Sequence, residues 1–277
     1  MPQGEDSVDH KPSARPVRVV SATPVQDAFV RRQSAFAEIL PTTSALTLAN
    51  HWDHWLARWG YRRMAHRVQP GLYALGRPND TSPVLVTANY TLSFDAVRSA
   101  LAGLDAYILV LDTQGVNVWC AAGKGTFGTG EVVRRIEATG LGHVVRHRRL
   151  ILPQLGAPGV AAHEVRRRSG FRVEYGPVRA SDLPRYLDTD QATPEMRRVR
   201  FTLLDRLVLV PMELVQTFVP MLVAALALYF ALGVWGAVGA VAAVFAGAAL
   251  FPLLLPWLPS REFSIKGFAL GGVTALA

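Results

Sequence analysis

Apolar residues follow two different patterns along this chain. From about residue 40 to 195, short apolar runs alternate with stretches in which apolar residues recur every three or four positions. The runs PVLVTANY (83–90), AYILVLDT (106–113), HVVRHRRLILPQL (143–155) and FRVEYGPV (171–178) each predict a strand. The periodic stretches SALTLANHWDHWLARWG (44–60), FDAVRSALAGL (94–104), GEVVRRIEATG (130–140) and GVAAHEVRRRSG (159–170) predict helices, and YRRMAHRVQPGLYALG (61–76) predicts two short strands around a Pro-Gly turn. Strand and helix alternating at this spacing predict an α/β fold with a mostly parallel sheet covered on both faces. Ligands of such sheets bind beyond the carboxyl ends of the strands. Four of those ends carry polar or Gly/Pro-rich sequence: TANYTLS, DTQGVN, PQLGAPG and YGPVRAS.

After Arg206 the pattern changes. From Leu214 to Ser260 there are 47 residues without Asp, Glu, Lys or Arg. A bilayer span needs about 20 apolar residues, so the stretch predicts two transmembrane helices at about 210–232 and 236–258, turning between Gly233 and Gly239. The other way to hide such a stretch is a helical hairpin in a soluble core. Arg197, Arg198, Arg200 and Arg206 precede the first span, and Arg261 and Lys266 follow the second, which places both ends in the cytoplasm. A third apolar stretch starts at 267 and stops with the sequence at Ala277, as a short stub or the beginning of a longer membrane domain. The organisation expected is a loose tail over 1–40, a cytoplasmic domain over 41–200 and a helical membrane domain over 201–277. The tail, MPQGEDSVDHKPSARP at its start, has no signal-peptide pattern.

Composition sharpens this. The chain is 50% hydrophobic, with 29 basic residues against 21 acidic ones, and the whole formal charge of +8 lies ahead of residue 207. One cysteine, Cys120, excludes an internal disulfide, a Cys-ligated zinc site and an iron–sulfur cluster of the chain's own. Redox chemistry here would need electrons from another protein. His51 and His54 lack a carboxylate or third histidine at ligand spacing, and the arginine runs at 146–149 and 166–168 read as solvated faces, or contacts with anionic lipid and an acidic partner, and not as a nucleic-acid surface.

The densest candidate chemistry is GVNVWCAAGKGTFGTG (115–130), directly after the most apolar predicted strand. Asn117 suits a helix N-cap, which puts Cys120 at the third helical position. A helix N-terminus and a nearby cation such as Lys124 favour the ionised, ligand-ready form of a thiol. The alternative is an inert core thiol. Nucleotide binding is disfavoured: GKGTFG (123–128) stands about ten residues from the strand, and Lys124 is followed by Gly125 where a phosphate loop has Ser or Thr.

NVWCAAGK (117–124) closely resembles the cap-helix motif of the HgcA family, the membrane corrinoid proteins of microbial mercury methylation. The likeness continues in order through PGLYALG, SPVLVTANYTLSFD, LVLDTQGVNVWCAAGKGTFGT, LILPQLGAPGVAAHEV, GFRVEYGPVRASD and MRRVRFTLLDR, over about residues 60–270. Several of these blocks are similar as well to the corrinoid-binding domain of the corrinoid iron–sulfur protein of the acetyl-CoA pathway. That protein is soluble and carries its own cluster cysteines, which this chain lacks.

The resemblance implies a Rossmann-like sheet with a cap helix, a cobalamin-type corrinoid held base-off, and the Cys120 thiolate as the lower axial cobalt ligand. It further implies methyl transfer to Hg(II), giving methylmercury, under anaerobic conditions. A ferredoxin-like iron–sulfur protein would donate electrons and an upstream methyltransferase or methyl donor would supply the methyl group. Two other readings stay open: a membrane-anchored methyl carrier of one-carbon or acetyl-CoA metabolism, and a cofactor-free thiol sensor or metal-binding membrane protein. By motif position the corrinoid contacts expected are Thr87, Asn89, Thr91 and Ser93; Thr113, Gly115, Asn117, Val118, Trp119 and Ala121; Gly123, Lys124, Gly125, Thr126 and Phe127; Gln154, Ala157 and Gly159; and Tyr175, Gly176 and Pro177. Each could equally be a turn or cap residue.

Overall fold

The structure is a computed structural model and describes residues 38–276, so the tail expected over 1–40 lies almost wholly outside the described residues. In chain order the elements are β1 (Leu40–Thr42), α1 (Leu48–Arg58), β2 (Gly71–Leu75), β3 (Val84–Ala88), α2 (Thr91–Ala100), β4 (Ala106–Leu111), α3 (Val118–Lys124), α4 (Thr129–Ala138), β5 (Arg149–Leu152), α5 (Ala162–Ser169), β6 (Arg172–Tyr175), α6 (Leu183–Thr189), α7 (Val210–Leu232), α8 (Val234–Phe245) and α9 (Phe263–Leu276), with short helical turns between some of them.

The strands form one six-stranded sheet in the order β1-β2-β4-β3-β5-β6. All neighbours are parallel except β2 and β4. The sheet is buried on both faces, which is why β3 and β4 are continuous apolar runs with every residue inside. Leu72, Val84, Val86, Leu109 and Leu111 meet α3, α4 and α5 on one face. Leu85, Ile108 and Val110 pack with Phe94 of α2 and Leu183 of α6 on the other. Because β3, β4, β5 and β6 run in one direction, their carboxyl ends open on one edge of the sheet. The four polar loops singled out by the sequence meet there.

Four expectations need correction. The segment 61–76 contains one strand, not two. Ahead of β2 the chain makes only an isolated bridge, Arg67 to Tyr90, because His66 is held in a turn by Asp53 and by the Tyr61 carbonyl. The hairpin turn is also narrower than Gly233–Gly239. Gly233 alone turns, in a left-handed conformation with φ 75°, and Val234 already begins the next helix. That helix continues as a π-helical turn over Ala246–Leu250 and ends at Leu254, short of 258, since Pro256 has no N–H to donate to the Pro252 carbonyl. Finally, the third apolar element starts at Phe263, not 267.

Two helical stretches, Leu203–Leu232 and Val234–Leu254, are long and apolar enough to cross a membrane, the first with no buried residue in its apolar window and the second with 17% buried. They pack as a close hairpin: a side-chain carbon on Gly236 would stand 2.5 Å from the Leu228 carbonyl oxygen. Arg206 donates to the Pro252 carbonyl at 3.2 Å and Lys266 to the Leu255 carbonyl at 2.7 Å. Both cations sit at the same end of the hairpin, using carbonyls that the proline-interrupted backbone leaves without a helical donor.

Candidate functional site

The site begins with the turn between β4 and α3. Gln114 (φ 59°) and Gly115 (φ 75°) take left-handed backbone in succession, and this sharp bend turns the Gly115 N–H inward. Asn89, buried at the end of β3, receives it. Its Oδ1 accepts from Thr113 N at 3.1 Å, Thr113 Oγ1 at 2.9 Å and Gly115 N at 3.0 Å, while its Nδ2 donates to Asp112. Asp112 in turn accepts from Gln114 N at 3.1 Å, and Glu131 of α4 accepts from Asp112 N at 2.9 Å.

α3 starts as the sequence predicts. Asn117 is the N-cap, its Oδ1 accepting from the Cys120 backbone N–H at 3.0 Å, so Cys120 is the third helical residue. Val118, Ala121 and Ala122 are buried against the sheet, leaving Trp119, Cys120, Gly123 and Lys124 on the outer face. Cys120 is therefore a free, exposed thiol, and the reading of it as a core cysteine is overturned. Gly123 has no neighbour within 4 Å of where a side chain would begin, so the helix surface beside the sulfur is bare.

The far end of α3 is fixed by close packing. Gly125 closes the helix at φ 81°. Phe127 then drops into the core, so near Gly156 that a side-chain carbon there would stand 2.5 Å from its ring. At Gly159 such a carbon would lie 2.2 Å from the Phe127 carbonyl oxygen and 3.0 Å from Ala122 Cα. The PQLGAPG loop is thus a clamp on the underside of α3. Tyr175 strengthens it by donating from its hydroxyl to the Val160 carbonyl, and burial pushes this phenol above its usual pKa. Gly176 N donates to the Leu152 carbonyl at 2.8 Å, and Gln154 Oε1 accepts from Arg197 at 2.7 Å.

Beneath the N-terminus of α3 lies a cavity of about 310 Å³. Of the residues expected to contact a ligand, Thr87, Ser93, Asn117, Val118, Trp119 and Pro177 line it. The rest of its wall includes Leu85, Val97, Ile151 and Leu183, which are indistinguishable from core residues until the chain is folded, and Leu155 of the PQLGAPG loop.

The remaining candidates divide into two groups. Gly123, Lys124 and Gly125 share the exposed surface with the thiol, and Thr126 is half-buried beside them. Asn89, Thr91, Thr113, Gly115, Ala121, Phe127, Gln154, Ala157, Gly159, Tyr175 and Gly176 are absent from the cavity wall. Most of these have the internal partners just described, and Thr91 donates to Asp53 of α1 at 2.8 Å.

Other polar residues are also accounted for. His54 does have a carboxylate partner, Asp95 Oδ2 at 2.7 Å, supplied by α2 from 41 residues away. Among the described residues no cluster of three His, Cys, Asp or Glu side chains could hold a metal ion. The arginine run at 146–149 is used within the fold: Arg146 pairs with Asp80, Arg148 lies over the Phe171 ring, and Arg149 pairs with Glu174 and Asp190.

The donor set fits a corrinoid. An exposed thiol is a soft ligand for cobalt, the helix face beside it is bare enough for a flat macrocycle to approach, and the cavity edge offers hydroxyl and amide groups to a cofactor rimmed with amides. A corrinoid is larger than 310 Å³ and would lie mostly over this rim.

Residues 54–187, just under half of the chain, match the family model described as CO dehydrogenase/acetyl-CoA synthase delta subunit. The chain is 38% identical over 131 residues to the acetyl-CoA decarbonylase/synthase complex subunit gamma of Methanopyrus kandleri, covering 46% of this chain and 28% of that protein. It is 38% identical over 128 residues to the corresponding subunit of Methanothermobacter thermautotrophicus, again 46% of this chain and 28% of the relative. With the corrinoid/iron-sulfur protein large subunit of Moorella thermoacetica it shares 30% identity over 119 residues, 42% of this chain and 26% of that one. The chain thus spans little more than a quarter of the length of these relatives.

Proposed function

We propose that this chain is a corrinoid-binding methyl-transfer protein in which the Cys120 thiolate is the lower axial cobalt ligand and Hg(II) is the methyl acceptor. The observation that carries the proposal is the placement of the chain's single thiol, exposed on the bare outer face of a helix clamped at both ends. When bound, a corrinoid supplies the capacity to take a methyl group from a donor and release it to an electrophile. What the chain itself supplies is position and electronic character. Asn89 and Asn117 fix the start of α3, and Phe127 with Gly156 and Gly159 fixes its end, so the sulfur is held ready for the metal. A thiolate is a strong donor, and axial-ligand identity is the protein's main lever on a metal cofactor. With one cysteine in the sequence, no second thiol stands ready to trap Hg(II).

The membrane placement belongs to the same proposal. Residues 41–200 are the corrinoid domain on the cytoplasmic side of the inner membrane, and α7 and α8 span the bilayer with both ends cytoplasmic, supported by the arginines that flank them. A ferredoxin-like iron–sulfur protein supplies electrons and a separate methyl donor precedes it.

A second reading, a membrane-anchored methyl carrier of one-carbon or acetyl-CoA metabolism, is favoured by the names of the relatives. Anaerobic reconstitution of the full chain with methylcobalamin and Hg(II), assayed for methylmercury, separates the two. The leading reading predicts methylmercury. Bound corrinoid without methylmercury, with reductant and membrane present, would leave the carrier. A colourless chain that takes up no corrinoid would sink both.

A further inference from the structure

α1 carries an apolar stripe that the sheet domain does not use. Leu48, Trp52, Trp55 and Trp59 follow one another at steps of four, three and four residues, which puts them on one helix face, and all four are exposed, Trp52 by 60%. The three indoles form a continuous row, with ring centroids 5.0 Å apart between Trp52 and Trp55 and 5.7 Å between Trp55 and Trp59. The row is held outward by bonds on the other face of the helix. His54 Nε2 lies 2.7 Å from Asp95 Oδ2, and Asp53 accepts from Thr91 at 2.8 Å and lies 2.7 Å from His66 Nδ1. The helix cannot roll its tryptophans inward without breaking these contacts.

We propose that this row is an interfacial anchor, lying among the headgroups of the bilayer that receives the α7–α8 hairpin, with anionic phospholipid as its partner. The proposal rests on the membrane placement of that hairpin. Continuity with it is the first argument. Gly60, just past the end of α1, sits so close to Met212 in the first turn of α7 that a side-chain carbon on Gly60 would stand 2.9 Å from Met212 Sδ. The row therefore starts at the level where the first apolar helix begins. Indole, an apolar body with one N–H, favours that depth. Charge is the second argument. Arg62 and Arg63 follow the row, are exposed and form no ion pair among the described residues, while the one carboxylate of α1, Asp53, is engaged on the inner face. A basic rim beside an aromatic row suits phosphate-bearing headgroups.

The test uses the full chain in vesicles of phosphatidylcholine and phosphatidylglycerol, in two forms. One carries Trp119→Phe, Trp235→Phe and Trp257→Phe, so that only the α1 row fluoresces. The other carries Trp52→Phe, Trp55→Phe, Trp59→Phe and Trp119→Phe, so that only the hairpin indoles do. Spin-labelled lipids with the label near the headgroup or at the bilayer centre serve as quenchers. The proposal predicts that the shallow label quenches the row at least about twofold more than the deep one, less so in vesicles without phosphatidylglycerol. An unquenched row beside quenched hairpin indoles would overturn the anchor and leave the hairpin in the membrane. The same holds if the row escapes both lipid labels and is shielded from aqueous iodide only on adding a reduced iron–sulfur protein, which would make it a protein interface. If neither set is quenched, the membrane placement fails and the anchor with it.

Discussion

Asn89 does more for the thiol than any residue that could touch a ligand there. Its one amide oxygen satisfies three donors of the turn that launches α3, and all of this is buried. Asn89→Ala leaves the Thr113 and Gly115 N–H groups without an acceptor, while the Thr113 hydroxyl keeps the Val116 carbonyl, and is expected to destabilise the sheet domain by about 2–4 kcal/mol in urea unfolding. A loss below about 0.5 kcal/mol would mean that the turn holds itself. Two glycines give a sharper contrast. Gly159→Ala drives a methyl group into the Phe127 carbonyl and the backbone of α3, with an expected loss of about 1–3 kcal/mol and weaker corrinoid binding. Gly123→Ala meets nothing within 4 Å and, inside a helix, should hold or slightly raise stability, yet it adds a methyl group on the face where the macrocycle would lie, so it should weaken binding alone. Thermal melts with and without corrinoid check both; equal effects of the two variants on the unliganded melt would contradict the clamp.

At the scale of elements, the sequence was most legible where periodicity was strongest. The β3 and β4 runs, the helices between strands, the Asn117 cap and the third-residue position of Cys120 could all be read from spacing, because each depends on neighbours within a turn or two. The convergence of four loops on one sheet edge also followed, since parallel strands must all open the same way. What could not be read was which loop residues face inward. Asn89 and Thr113 look like ligand contacts in a polar loop, yet they serve a backbone bend, Asn89 accepting from Thr113 and from the left-handed Gly115, a demand visible only in three dimensions. The cavity wall was hidden for the opposite reason, since Leu85, Ile151 and Leu183 read as core. His54 seemed unpartnered because Asp95 lies 41 residues away in sequence. β1, at three residues, was too short to carry a pattern.

At the scale of the whole molecule, two regions meet different surroundings. The sheet domain hides its apolar residues on both faces of the sheet, whereas Phe218, Leu222, Leu226, Phe230 and Trp235 of the hairpin are left outside. Burying such a surface needs lipid or further protein. Sodium carbonate washing of membranes is expected to leave the chain in the pellet, with detergent needed to extract it. Release by carbonate would show a peripheral protein and remove the case for α7 and α8 as spans.

If the sulfur of Cys120 binds cobalt, the visible spectrum of the corrinoid-loaded chain depends on it. Wild type and Cys120→Ala are loaded anaerobically with the same corrinoid and compared at matched occupancy. The wild-type spectrum is expected to carry a thiolate contribution that disappears in Cys120→Ala, while the sheet domain remains folded. Identical spectra for the two proteins would contradict it.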